Sequence, residues 1–142
     1  MLTRADIERL IPHAGAMCLL DSVLHWDATK IRCASRTHND AANPLRAGGQ
    51  LAALCGIEYA AQAMAAHGGL AGTVTGRPGT GYLASLRNVT CREERLDQRQ
   101  GDLVVEAERL MGDEARVIYQ FTLWVGGSEV LNGRATVVLS AA

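Results

Sequence analysis

The sequence predicts an α+β fold in which one curved antiparallel sheet wraps around one long central helix. Residues 50–67, QLAALCGIEYAAQAMAAH, are alanine-rich and apolar on nearly every face, as in a helix buried in the middle of a protein. The C-terminal half alternates apolar and polar residues with period 2, as strands with one buried face do. Two strand-like runs precede the helix, so the parts amount to one sheet and one helix that bury each other. The outer edges of such a sheet need pairing, most simply with a second copy of the chain. All 142 residues are expected to form one domain, 1–142.

Residues 3–10 read as a short helix, with Thr3 as its cap and Asp6 three positions on at the positive end of the dipole. Ile7, Leu10 and Ile11 form its apolar stripe, and Pro12 ends it. A loop, IPHAGA, leads to strands over about 18–27 and 30–36, joined by a tight turn at Asp27-Ala28-Thr29. Residues 37–49 are a polar loop, 50–67 the central helix of about five turns, and 68–81 a glycine-rich loop. Beyond it, Leu103, Val105 and Ala107 share one strand face, and Val117, Tyr119, Phe121, Leu123 and Val125 another. Leu131, Ala135, Val137 and Leu139 repeat the pattern. Turn signals at 111–113 and 125–128 make this part an antiparallel meander.

Composition narrows the function. With 48% hydrophobic and 20% charged residues the chain is globular rather than disordered. A net charge of -1 without a basic run argues against nucleic acid as a partner. Cys18, Cys33, Cys55 and Cys91 form no C-x-x-C pair, which argues against zinc and for free thiols in a reducing cytoplasm. Arg4, Asp6, Glu8 and Arg9 interrupt any signal-peptide pattern, and no apolar run reaches the ~18 residues of a membrane span.

Several strings, in order along nearly the whole chain, resemble the hotdog-fold 3-hydroxyacyl-acyl-carrier-protein dehydratases. Ile11-Pro12-His13 with Met17-Cys18-Leu19-Leu20-Asp21-Ser22-Val23 is similar to the family's LPHR…LLxDRV opening. Glu58-Tyr59-Ala60-Ala61-Gln62 resembles E-A-x-A-Q on the central helix, and Tyr82-Leu83-Ala84-Ser85-Leu86-Arg87-Asn88-Val89 the strand YLAGIDNV. Gly101-Asp102-Leu103 resembles PGDxL, and Asn132-Gly133-Arg134-Ala135 the closing DGK strand. Within the family the chain looks closest to the aryl-polyene-pathway subgroup. The resemblance implies a hotdog fold, a thioester substrate on acyl carrier protein or coenzyme A, and a homodimer or a heterodimer with a related hotdog subunit. One departure stands out: where the family carries histidine in an H-F-P string, this chain reads Asn43-Pro44-Leu45. Another is Gly48-Gly49-Gln50-Leu51, which resembles the helix start of hotdog acyl-CoA thioesterases.

Dehydrating a 3-hydroxyacyl thioester means taking a proton from C2 and giving one to the departing C3 hydroxyl. A carboxyl group can do either, and no metal or cofactor is called for. Glu58 is the candidate: an acid on an apolar helix with no cationic neighbour in sequence, where burial would favour the neutral form. A buried carboxylate tied to backbone, or to Arg46 or Arg77 at a dimer seam, is the structural alternative. Gln62, one turn on, is placed to hydrogen-bond Glu58 and contact substrate. Gly48 and Gly49 are placed at the helix start, where backbone N–H groups could hold the thioester oxyanion, or they form a plain turn.

His13 and His38 are the candidates for the absent imidazole, against purely structural roles for both. Asn43 could orient the C3 hydroxyl, though Asn-Pro is also a turn signal, and Tyr82 is a substrate-binding candidate through the resemblance. His67 reads as a cation at the helix C-terminus, His25 as exposed, Cys55 as a small core residue, and Trp26 and Trp124 as packing. Arg87, Arg92 and Arg95 cluster after the strand at 82–89, to meet a carrier protein's acidic face or simply solvent. Three functions follow: a dehydratase, a hotdog thioesterase, or a non-catalytic subunit that pairs with an active dehydratase.

Overall fold

Seven antiparallel strands form one sheet with a single long helix packed on it. The structure is a computed structural model that describes residues 1–11, 14–72, 81–113 and 115–139, with the backbone alone for Gly81, Tyr82 and Leu139. In chain order the elements are β1 (Leu2–Thr3), α1 (Arg4–Glu8), β2 (Ser22–Trp26), β3 (Lys30–Ser35), α2 (Gly56–Ala71), β4 (Gly81–Cys91), β5 (Leu103–Gly112), β6 (Arg116–Val125) and β7 (Ser128–Leu139). The sheet runs β1-β2-β3-β5-β6-β7-β4. After β3 the chain passes through α2 to the far edge, lays down β4 there, and returns to pair β5 with β3. Among the described residues no helix is long and apolar enough to cross a membrane.

The local chemistry explains most of these elements. Thr3 caps α1 as expected: its hydroxyl accepts the Asp6 N–H, and the Asp6 carboxylate accepts the Thr3 N–H at 3.0 Å. Asp27 Oδ1 accepts the N–H groups of Thr29 and Lys30, both at 2.9 Å, and so closes the β2–β3 turn. Gly126 and Gly127, at φ +58° and +83°, supply the two left-handed residues of the β6–β7 hairpin. The alternating residues of β5, β6 and β7 put Leu103, Val105, Phe121, Leu123, Leu131 and Ala135 in the core. Each large side chain so buried contributes about 1.5–3 kcal/mol.

Two boundaries differ from expectation, each for a visible reason. Strand β2 starts at Ser22 rather than near residue 18, because Leu19 spends its backbone groups on side chains. Its N–H donates to Gln62 Oε1, and its carbonyl accepts the hydroxyls of Ser35 and Thr37. The central helix is displaced toward the C-terminus, running over Gly56–Ala71 instead of 50–67. Residues 51–53 are extended against 94–96, with Leu96 N–H donating to the Leu51 carbonyl and Ala53 N–H to the Glu94 carbonyl. At the other end the helix continues past His67 to Gly72, whose φ of +74° terminates it.

α2 lies close to the sheet. A Cβ on Gly56 would sit 2.8 Å from Leu123 Cδ2 and 2.9 Å from Leu131 Cδ2, so a larger residue would have to push both leucines aside. At its other end His67 is buried, not a surface cap. Its Nε2–H donates to the Asp27 carbonyl at 2.9 Å, which leaves Nδ1 to accept the Tyr119 hydroxyl at 2.6 Å. Burial holds His67 below the usual histidine range and pushes Tyr119 up to about 12. On the outward face Arg32 stacks over the half-buried Trp124 at 5.3 Å, while Trp26 is 40% exposed and so is not a packing residue within one chain. His25 is exposed, as expected.

Candidate active site

α2 buries one side against the sheet and leaves the other open. Tyr59, Ala60, Ala63, Ala66 and His67 point into the core. Leu54 just before the helix, then Ile57, Glu58, Ala61 and Ala65, form a stripe at helical spacing that the chain covers only in part: Leu54 and Glu58 are exposed, and Ile57, Ala61 and Ala65 are half-buried at the margin of the core. Glu58 is exposed in this stripe, which corrects the expectation of a buried carboxylate: a single sheet covers only one side of a helix that is apolar all round. Neither Arg46 nor any other described residue forms an ion pair with Glu58; Arg46 instead meets Asp97 at 3.2 Å. Leu54, one turn before Glu58, lines an open groove of about 590 Å³ together with Ala52, Cys91, Arg92 and Glu94.

Gln62, one turn on from Glu58 and on the adjoining side of α2, is covered by the segment before β2 and is 1% exposed. Its Nε2 donates to the Met17 carbonyl and its Oε1 accepts the Leu19 N–H, both at 2.8 Å. The expected Gln62–Glu58 bond and substrate contact are therefore corrected: the amide ties residues 17–19 to α2. Arg4 holds the same segment from outside, donating to the carbonyls of Gly15 and Cys18 and pairing with Asp21 at 3.0 Å. His13, just upstream, lies outside the described residues.

Asn43 likewise has no group free for a substrate. Its Nδ2 donates to the Thr37 carbonyl at 2.8 Å and the Tyr59 hydroxyl at 3.0 Å, and its Oδ1 accepts the Leu45 N–H. Because Tyr59 accepts from Asn43, its own proton goes to Thr37 Oγ1 at 2.7 Å, and Thr37 in turn donates to the Leu19 carbonyl. Burial raises the Tyr59 pKa, partly offset by the Thr37 and Asn43 hydrogen bonds. This chain of donors joins the loop at 37–43 to α2 and to the segment before β2. The residue that corresponds to the family's histidine is thus part of a buried strut. His38 is fully buried beside it, which corrects its candidacy as an accessible imidazole. Its Nε2–H donates to the Gly101 carbonyl at 3.0 Å, leaving Nδ1 buried and bare, and desolvation lowers its pKa.

Gly48 and Gly49 are not at the helix start. They form the turn of the Ala47–Gln50 bridge at φ +59° and +76°, ahead of the extended residues 51–53, so their N–H groups are not those of α2. Tyr82, on β4, pairs with Val138 of β7, and its side chain lies outside the described residues. Cys55 is half-buried rather than fully in the core; Cys91 is exposed, and burial pushes the Cys33 thiol up to about 12.

Sequence reasoning missed Asp97, 6% exposed at its side chain, which gathers Arg95 at 2.7 Å, Arg46 at 3.2 Å and the Leu51 N–H. The Arg95 hydrogen bonds, more than any other cause, hold its carboxyl well below the usual range. The signal in the sequence was Arg95-Leu96-Asp97, a pair two apart on an extended segment. Arg92 is likewise taken up, by Glu129 at 2.6 Å, so the expected arginine cluster dissolves and leaves Arg87 exposed.

This geometry can be set beside known proteins. In the dehydratase heterocomplex ApeI:P from Xenorhabdus doucetiae, a chain aligns with a TM-score of 0.81, covering 94% of this chain and 90% of that one at 23% identity. AziG from S. sahachiroi aligns at 0.65 with 16% identity, covering 93% and 98%. A hypothetical thioesterase protein with coenzyme A from Streptococcus pneumoniae aligns at 0.59 with 10% identity, covering 84% of each chain. Likeness at these identities is likeness of fold, and the fold is the hotdog. No curated protein matches the sequence. The family model ApeP-like, described as ApeP dehydratase, matches residues 5–141, so the chain belongs to the ApeP-like dehydratase family.

Proposed function

We propose that the protein dehydrates a 3-hydroxyacyl thioester, carried on acyl carrier protein or coenzyme A, with Glu58 as general base and acid and a second hotdog subunit closing over it. The observation that carries this reading is the position of Glu58. It is the one ionisable side chain on the partly uncovered, otherwise apolar face of α2, a turn away from an open groove. Its carboxylate takes the proton from C2, and the charge moves onto the thioester oxygen. The carboxylic acid so formed returns that proton to the C3 hydroxyl, which leaves as water and gives the enoyl thioester. A covering subunit would exclude water and supply the low-dielectric surroundings that one chain does not. Family membership and the fold shared with a chain of a dehydratase heterocomplex support it.

A second reading has its own observation. Among the described residues no histidine bonds to Glu58, and His38 and Asn43 are occupied elsewhere. The chain would then be the non-catalytic half of a pair of unlike hotdog subunits. The assay supplies a 3-hydroxyacyl-carrier protein and the matching coenzyme A ester and follows enoyl formation and thiol release. Enoyl product that falls at least about 100-fold in Glu58→Gln is the expected result. Turnover that requires a second protein and survives Glu58→Gln supports the non-catalytic half, and thiol release without enoyl product refutes both in favour of a thioesterase.

A further inference from the structure

We propose that Arg87 and Arg134 make the edge strand β4 select an unlike, acid-bearing hotdog subunit over a second copy of this chain. The inference rests on the reading above, that a second subunit completes the site, and names what chooses it. Among the described residues β4 ends the sheet and pairs only with β7, so one row of its backbone groups is open to another strand. In the ladder Arg87 stands opposite Arg134, Arg134 opposite Gln120, Gln120 opposite Glu108, and Glu108 opposite Lys30. The adjoining residues Ala107, Phe121 and Ala135 are buried on the core side, so this row lies on the outward face.

Toward β3 the row is neutral: Lys30 meets Glu106 and Glu108 at 3.8 Å, and Arg32 meets Glu106 at 3.0 Å. Toward β4 it is not. Arg87 and Arg134 are both exposed, directly opposite each other, and neither has a carboxylate partner among the described residues. Glu108, the acid in the same row, is two strands from Arg134, about 10 Å away. Like charges in direct cross-strand register are unfavourable, and solvated arginines are free to be placed otherwise.

The pair matters most when another strand joins. Antiparallel pairing of two β4 strands about the midpoint at Leu86 sets the second Arg87 roughly 8 Å from the first. Four guanidinium groups then form one cationic patch without a counter-charge, with the two Arg87 groups within about a Debye length of each other. A subunit that presents Asp or Glu on its own edge strand turns the same patch into an attraction, so the charge discriminates by repelling self as well as by attracting the partner.

The test is a charge swap within this chain. The full-length protein and its Arg87→Glu, Arg134→Glu double variant are sedimented alone and mixed, at low and high salt. Both sites are exposed, and circular dichroism confirms folding. At low salt the mixed complex should be at least about tenfold tighter than either self-complex, and the preference should shrink at high salt as the self-complexes strengthen. A mixed complex no tighter than the self-complexes, or none at all, overturns the proposal. Amide exchange over 81–91 separates the two levels of the reading. Association that leaves those amides unprotected refutes pairing through β4 itself. Protection that is equal in self and mixed complexes of equal affinity refutes only the charge selection.

Discussion

Gln62→Leu should cost this protein about 2–4 kcal/mol of stability while leaving its shape almost unchanged. Leucine matches glutamine closely in volume, so little of the cost is a cavity. What is lost is a pair of 2.8 Å hydrogen bonds at a site 1% exposed. The Leu19 N–H is left in a residue 2% exposed, a desolvation cost of about 1–3 kcal/mol. The Met17 carbonyl belongs to a residue 47% exposed, where water can replace part of the bond, so its share is nearer 0.5–1.5 kcal/mol. For a chain of 142 residues each kcal/mol moves the midpoint by about 3–4 °C, so thermal unfolding should fall by roughly 7–14 °C. Urea unfolding measures the change directly, with the slope unaltered. A loss below about 0.5 kcal/mol would refute the idea that this amide holds residues 17–19 to the central helix. Gln62→Glu gives a signed control. A protonated carboxyl can both donate to Met17 and accept from Leu19, whereas a carboxylate can only accept. Its folded form therefore prefers the proton, and the variant's deficit relative to the native chain should be smallest at low pH and grow as pH rises above about 4.3, the unfolded value.

Two further outcomes can be measured on the same samples. Gly133→Ala should destabilise by about 1–3 kcal/mol in urea unfolding, because the new Cβ would meet Phe121 Cζ at 2.8 Å and Val89 Cγ2 at 3.0 Å; a neutral result would mean the Phe121 ring can move aside. His67 and His38 are both held below the ordinary value of 6.5, by burial first, so each contributes stability that is complete above 6.5 and lost as pH falls through the folded value. Unfolding free energy should therefore fall as the pH is lowered from 6.5, and less steeply in His67→Phe; equal slopes would show that His67 does not carry this dependence.

Much of the architecture was legible because it rests on near-neighbour chemistry. The period-2 runs placed β5, β6 and β7, Thr3 with Asp6 placed the start of α1, and Gly126-Gly127 placed the last hairpin. The central helix was legible in kind but displaced in register. Nothing local says that Leu51 and Ala53 will pair with residues 94–96, far along the chain, instead of opening the helix. For the candidate site the sequence singled out Glu58 as a lone acid in an apolar run but did not show that it is exposed. Its neighbours were assigned by sequence distance, and sequence distance misled: Gln62 follows Glu58 by one turn yet is taken up by the backbone of residues 17–19, and Asn43 serves Tyr59 and Thr37.

The sequence by itself determined that one sheet and one greasy helix bury each other, since residue type and spacing alone set which faces flee water. Only the tertiary structure decided which side of α2 the sheet takes, and hence that Glu58 faces outward while Gln62 and His67 are enclosed. It also decided which arginines keep their charge unanswered among the described residues: Arg46 and Arg92 find carboxylates brought from elsewhere in the chain, whereas Arg87 finds Arg134. Both decisions depend on strand order and register, which follow from the packing of the whole core rather than from any one segment.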